Sequence, residues 1–132
     1  MNLAGIRNEI KNLTSQIFPE IVSIRKWLHK NPELSFNEKK TSNYICSVLN
    51  KNKIQYVDNV GGYGVVAIIN GSNSNGKVVA LRADMDALPI KEQNEVEYKS
   101  INEGVMHACG HDVHTAILLG TAIVINKLNG SI

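Results

Sequence analysis

A chain of 132 residues has the size of one ordinary domain and can bury a single core. Its 43% apolar and 20% charged content are globular values that argue against disorder. A formal charge of +2, with Lys and Arg dispersed along the chain, gives no electrostatic footprint for nucleic acid or an anionic membrane.

The first segment has helical periodicity. Ile6, Ile10, Leu13, Ile17, Ile21, Ile24 and Leu28 recur at three- and four-residue steps. Pro19 interrupts the pattern, which predicts a short helix followed by a second one starting near Phe18. Asn31-Pro32 ends it, since a residue before proline avoids the helical region. A further helix is expected from Asn37 to about Asn52, with Asn37 as N-cap and Tyr44, Ile45, Val48 and Leu49 as its apolar face.

Beyond Asn52 the period becomes extended. Ile54–Val57, Val65–Ile69 and Lys77–Ala83 read as three strands, separated by the Gly61–Gly64 turn and the polar stretch 70–76. The short polar turn predicts an antiparallel hairpin between the second and third. Val78-Val79-Ala80-Leu81 is apolar without alternation, as in a strand covered on both faces. Residues 84–104 read as a long loop. The last element, a helix from about Asp112 to Lys127, is apolar nearly all round and needs more cover than this chain offers. The expected fold class is α/β, with helices followed by a hairpin-containing sheet and a buried helix.

No apolar run is long enough to cross a bilayer, and the segment 1–10 lacks the apolar stretch of a secretion signal. The expected location is the cytoplasm, where Cys46 and Cys109 would both remain thiols. Aromatic residues, at 5%, leave no stacking platform for single-stranded nucleic acid.

The densest chemistry lies in Met106-His107-Ala108-Cys109-Gly110-His111-Asp112-Val113-His114. Thiolate and neutral imidazole are the preferred ligands of zinc and similar metals. Cys109 and His111 are two apart, and Gly110 between them permits unusual dihedrals. Asp112 is suited to cap the following helix, whose positive end favours a Cys109 thiolate. A lone Cys or His is usually a packed core residue; the density of this cluster speaks against that. His107 and His114, taken singly, can be ligands, supports behind the ligands, or substrate contacts.

A second cluster is Leu81-Arg82-Ala83-Asp84-Met85-Asp86-Ala87-Leu88-Pro89. Asp84 and Asp86 can bind a metal or orient a metal-bound histidine. They can equally form a turn, with Arg82 as partner. In a third stretch, Trp27 to Ser35, His29 and Glu33 are placed to pair across the turn in a structural role. Gly61-Gly62-Tyr63-Gly64 lacks the spacing of a phosphate loop.

Together, Leu28-His29-x-x-Pro32-Glu33-Leu34, the Leu81–Pro89 cluster and the Met106–Thr115 cluster resemble the amidohydrolase branch of the M20 metallopeptidase family, in order and spacing from about Ile21 to Asn126. That branch includes hippurate hydrolase, N-acyl-amino-acid amidohydrolases and plant auxin-conjugate hydrolases. The resemblance implies a zinc-hydrolase catalytic domain with an inserted domain that often mediates pairing. It implies two divalent metals (Zn, Mn, Co or Ni), with Cys109 and His111 as ligands and Cys109 bridging. Asp86 would orient a metal-bound histidine, while Asp84 stands where other branches place that histidine. The implied reaction is hydrolysis of the amide bond of an N-acyl amino acid or small peptide, with a glutamate as general base.

Members of that family are roughly three times this length. Their catalytic glutamates, remaining histidine ligands and inserted domain lie downstream of the matched region. Residues 1–132 are therefore expected to form an incomplete catalytic domain, inactive alone. Glu92, Glu95, Glu97 and Glu103 precede the cluster, the wrong place for the base. Two other readings stand beside this: a non-catalytic module binding a metal or a partner, and a thiol-reactive protein using Cys109.

Overall fold

The computed structural model describes residues 2–71 and 76–129. Helix α1 spans Leu3–Lys30, α2 spans Lys39–Lys51, strands β1 and β2 span Gln55–Val60 and Gly64–Ile68, and α3 spans His111–Leu128. This is the expected α/β order of helices, hairpin and helix.

Helix α1 runs unbroken through Pro19, where two helices were expected. Proline removes one intrahelical donor, which here leaves the Ser15 carbonyl without its usual partner. Both residues are on the exposed side, so water can satisfy that carbonyl. The Ser23 hydroxyl donates to the Pro19 carbonyl at 2.9 Å, one turn on. The start of α1 is capped by the Asn2 side chain, which accepts from the Gly5 amide at 2.9 Å. Asn31 closes its end: its amide donates to the Trp27 and Leu28 carbonyls before Pro32 turns the chain away.

Asn37 is not the cap of α2, which begins after Glu38 with no capping bond from that side chain. The cap comes from outside. The Glu33 carboxylate accepts from the Lys40 amide at 3.2 Å and from the Thr41 amide and hydroxyl at 2.8 and 2.9 Å. A carboxylate there meets unpaired amides and the positive end of the helix dipole. It also means that Glu33 does not pair with His29.

The core sits where α1, α2 and α3 meet. Ile17, Ile24 and Leu28 of α1 pack with Ile45, Val48 and Leu49 of α2 and with Ala116, Leu119, Ile123, Val124 and Leu128 of α3. Burying each of the larger side chains contributes about 1.5–3 kcal/mol. Trp27 and Tyr44 stack at 3.7 Å, joining α1 to α2. Gly120 lets α3 approach α1 closely: a Cβ there would lie 2.9 Å from the Ile21 Cδ1. The α1 surface therefore covers one side of α3, while Val113, Ile117 and Ile125 remain exposed.

The hairpin is formed by β1 and β2, not by the second and third expected strands. It is antiparallel, pairing Gln55 with Ile68 and Val60 with Gly64. Residues 77–83 belong to no ladder among the described residues, and Val78 and Val79 are 96% and 80% exposed. The expected doubly covered strand is thus absent here. An apolar strand of this kind needs a sheet neighbour and layers on both faces, and the described residues supply neither. Most of the 70–76 turn, residues 72–75, lies outside the described residues.

Candidate metal centre

The three motif-bearing segments are distant in sequence and adjacent in space. The Ala87 amide donates to the Glu33 carbonyl at 2.8 Å, and Leu88 exchanges backbone bonds with Met106 at 2.9 and 3.0 Å. Leu34 bridges Ala87 in parallel, and Leu88 bridges Met106 antiparallel. The Asn102 side chain donates to the Pro32 carbonyl at 2.7 Å. These short pairings set Asp86 beside the start of α3.

The turn into α3 is made by Gly110, whose φ of 86° and ψ of 15° are left-handed values that disfavour a side chain. His111 follows as the first helical residue. Its Nδ1 lies 3.0 Å from the Asp86 Oδ1 and 2.9 Å from the Asp86 carbonyl. Both partners are acceptors, so Nδ1 carries a proton, and in the neutral ring Nε2 is the nitrogen that keeps a lone pair. That is the arrangement in which a carboxylate behind an imidazole prepares it as a metal ligand. Cys109 is exposed and its thiol is free, as is that of half-buried Cys46.

Asp112 does not cap α3. Its carboxylate is buried and turned toward α1, where Oδ2 meets the His29 Nδ1 at 2.7 Å and lies 3.0 Å from the Arg25 Nε. The Arg25 contact is off the line of the N–H, so the attraction is ionic rather than a hydrogen bond. The other His29 nitrogen, Nε2, meets the Glu92 Oε1 at 2.9 Å. Burial pushes the Glu92 carboxyl up. The Ser100 amide and the His29 and Asn94 side chains outweigh this and hold it below the ordinary range.

Comparison with known proteins decides the family. The family model described as Peptidase family M20/M25/M40 matches residues 80–132. The chain is 49% identical over 120 residues to thermostable carboxypeptidase 2 of Saccharolobus solfataricus, which covers 90% of this chain and 30% of that protein. It is 44% identical over 126 residues to the N-acyl-L-amino acid amidohydrolase of Geobacillus stearothermophilus, covering 96% of this chain and 34% of the relative. Among solved structures, the Bacillus subtilis YXEP protein, a dinuclear metal-binding peptidase from the M20 family, superposes with a TM-score of 0.80 at 41% identity. That match covers 90% of this chain and 32% of the other. The chain belongs to the M20 metallopeptidase family. It spans about a third of the length of these relatives.

The donor chemistry at the Gly110 turn fits the metals such peptidases hold. A free thiol and an imidazole with an available lone pair are both zinc-type donors. The set is incomplete: among the described residues no three His, Cys, Asp or Glu side chains gather to hold an ion. Asp84 stands apart from His111. Its exposed carboxylate pairs with Arg82 at 2.7 Å, while its carbonyl accepts from the Thr115 hydroxyl at 3.0 Å. His114 lies on the exposed side of α3, its ring centre 6.2 Å from that of His111.

His107 is 4% exposed, and neither ring nitrogen finds a partner among the described residues. Burial above all, with the neighbouring imidazoles of His29 and His111, holds its pKa below the ordinary value, against the pull of Asp112 and Asp86. A neutral imidazole so placed carries one unmet donor and one unmet acceptor.

Three of the four loop glutamates, judged misplaced for the base, are paired. Glu92 is bound as described, Glu95 pairs with Lys99 at 2.8 Å, and Glu103 lies 3.9 Å from Lys91 at the surface. Sequence reasoning missed Arg25 and Glu92 as partners of the turn and gave His29 the wrong partner. Asp112 and His29 are 83 residues apart, and no spacing rule joins them.

Proposed function

We propose that this chain carries part of the metal-binding half-site of an M20 amidohydrolase that hydrolyses N-acyl amino acids or small peptides. Cys109 and His111 act as donors to a divalent cation, and Asp86 orients His111. The observation that carries this reading is the pair of Asp86 acceptors on the His111 Nδ1, which leaves Nε2 free to bind. A cation held there supplies Lewis acidity toward the substrate carbonyl and a water made nucleophilic near neutral pH. Asp86 holds the ring in one tautomer, and the Gly110 turn brings the thiol to the same end of α3.

With two donors in place, the half-site needs one or two more to hold a metal tightly. Residues 1–132 then form an incomplete catalytic domain without a positioned general base, and hydrolysis by this chain alone is expected to be undetectable. Both cysteines being free fits a reducing compartment such as the cytoplasm. The substrate class follows the relatives: one is an N-acyl-L-amino acid amidohydrolase, another a carboxypeptidase.

Cobalt(II) titration tests the donors. A thiolate-to-cobalt absorption band should appear and be lost in Cys109→Ala and His111→Ala, and zinc should slow alkylation of Cys109 by iodoacetamide. If Cys109 alkylates equally fast with and without zinc, and no band forms, the metal reading fails. The exposed thiol would then stand as the reactive group.

A further inference from the structure

Four ionisable side chains from three parts of the chain meet behind the Gly110 turn. Arg25 and His29 come from α1, Asp112 from the first turn of α3, and Glu92 from the loop between β2 and α3. The His29 imidazole is at the centre. Its Nδ1 faces the Asp112 Oδ2 at 2.7 Å and its Nε2 the Glu92 Oε1 at 2.9 Å. Each ring nitrogen thus has a carboxylate oxygen within hydrogen-bond distance, so the one imidazole bridges two acidic side chains. His29, Glu92 and Asp112 are almost fully buried, so these contacts are shielded from water.

The His29 ring meets Tyr98 edge-on at 5.6 Å, and the Arg25 guanidinium and Lys26 ammonium lie 4.9 and 5.2 Å from the Tyr98 ring centre. An aromatic face is attractive to cations and shields them from water. The Arg25 Nη2 lies 3.3 Å from the His29 Nδ1, and its Nε forms the ionic contact with the Asp112 Oδ2 at 3.0 Å, so Arg25 flanks the same pair.

Asp112 directly follows His111. A carboxylate fixed from α1 therefore fixes the first turn of α3, and with it the rotation that puts the His111 Nδ1 on Asp86. Glu92 adds a third hold. It accepts from the Ser100 amide at 2.7 Å, which ties residues 92–100 to the same imidazole.

We infer that His29 is a positioning residue for the metal-binding turn. It straps Asp112 to Glu92 and so sets the orientation in which His111 rests on Asp86 and presents Nε2. The inference rests on the reading of His111 and Cys109 as metal donors. A purely structural network would stabilise the fold and leave the His111 tautomer unaffected.

The test uses the 132-residue chain labelled with nitrogen-15 histidine and observed by NMR. In the native chain His111 should show one protonated nitrogen, Nδ1, and one bare nitrogen, Nε2. In His29→Gln, folded by circular dichroism, His111 should lose this single pattern and average between tautomers. Leu49→Ala, which removes a buried side chain on α2, serves as a control that lowers stability and leaves the His111 pattern intact. If His29→Gln does not fold, Arg25→Gln withdraws one cation from the more exposed end and should give the same change in part.

A cobalt(II) arm separates the two layers. Where the native chain forms the thiolate band, His29→Gln should weaken cobalt binding about ten- to a hundredfold. An unchanged His111 pattern in folded His29→Gln overturns the inference, as does a changed pattern with unchanged cobalt affinity. Absence of the band in the native chain overturns the metal reading instead, and the NMR comparison still decides whether His29 positions His111.

Discussion

The Glu33 carboxylate accepts both the backbone amide and the hydroxyl of Thr41, at 2.8 and 2.9 Å, and thereby caps a helix to which it does not belong. Thr41 is buried, so these bonds are shielded from competing water. Glu33→Ala should cost about 1–2 kcal/mol, the range of a lost cap with a charge at a helix N-terminus. Glu33→Gln should cost less, because an amide oxygen still accepts. Urea unfolding followed by Trp27 fluorescence measures this, since Trp27 is the single tryptophan and stacks on Tyr44. Equal midpoints for the native chain and Glu33→Ala would remove the cap from the account.

Acid should weaken the fold through Glu92. Its folded carboxyl is held below the ordinary glutamate value of about 4.3, so the unfolded chain takes up a proton first as the pH falls. The stabilising contribution is fully present above that value and is lost as the pH drops through the lower folded one. Stability between pH 6 and pH 3 should therefore decline more steeply in the native chain than in Glu92→Gln. Unfolding midpoints across that range give the comparison. Parallel profiles would mean that the His29 and Ser100 bonds to Glu92 contribute nothing.

A third expectation concerns His107, which is buried with both ring nitrogens unpaired among the described residues. Leaving a buried polar group unsatisfied costs about 1–3 kcal/mol, whereas an apolar group of similar size carries no such penalty. His107→Leu should thus leave the stability of this chain unchanged or raise it, in contrast to most substitutions of buried residues. A clear loss in urea unfolding would show that His107 has partners in solution.

Much of the fold was legible in the sequence because it depends on local pattern. The helical steps of Ile17, Ile24 and Leu28 and the all-round apolar character of Val113–Ile125 gave α1 and α3, and the glycines at 61–64 marked a turn between two extended segments, although the pairing expected across 70–76 is found across 61–63 instead. The errors share a different cause. Pro19 looks like a break because sequence does not reveal that Ser15 faces water, and Asn37 looks like a cap because the Glu33 carboxylate reaches α2 from outside it. Lys77–Ala83 has the composition of a buried strand, but the described residues do not supply the neighbours that would make it one.

At the candidate site, residue types were legible and partners were not. Asp86, Cys109 and His111 stand out by chemistry and spacing. The preference of Asp112 for His29 over its own helix end arises from the packing of α1 on α3, which fixes the distance only once the core has formed. The family motifs at His29, Asp86 and His107 are thus one spatial unit, joined through short backbone pairings at Ala87 and Leu88.

The last expectation follows from surface that the described residues leave uncovered. Val78, Val79 and Leu81 are exposed at 96%, 80% and 59%, in a segment with no ladder partner among the described residues, and Ile117 of α3 is 57% exposed. An unpaired apolar strand is a template for pairing with another chain, and exposed apolar side chains add a driving force for association. The 132-residue chain should therefore gain mass with concentration in light scattering. The double variant Val79→Lys with Ile117→Lys should reduce this, because charge opposes both edge pairing and burial. Neither residue contributes to the core, so the circular dichroism of the variant should match that of the native chain. A native chain that stays monomeric across the concentrations tested would show that 77–81 and α3 are covered in solution by segments of this same chain.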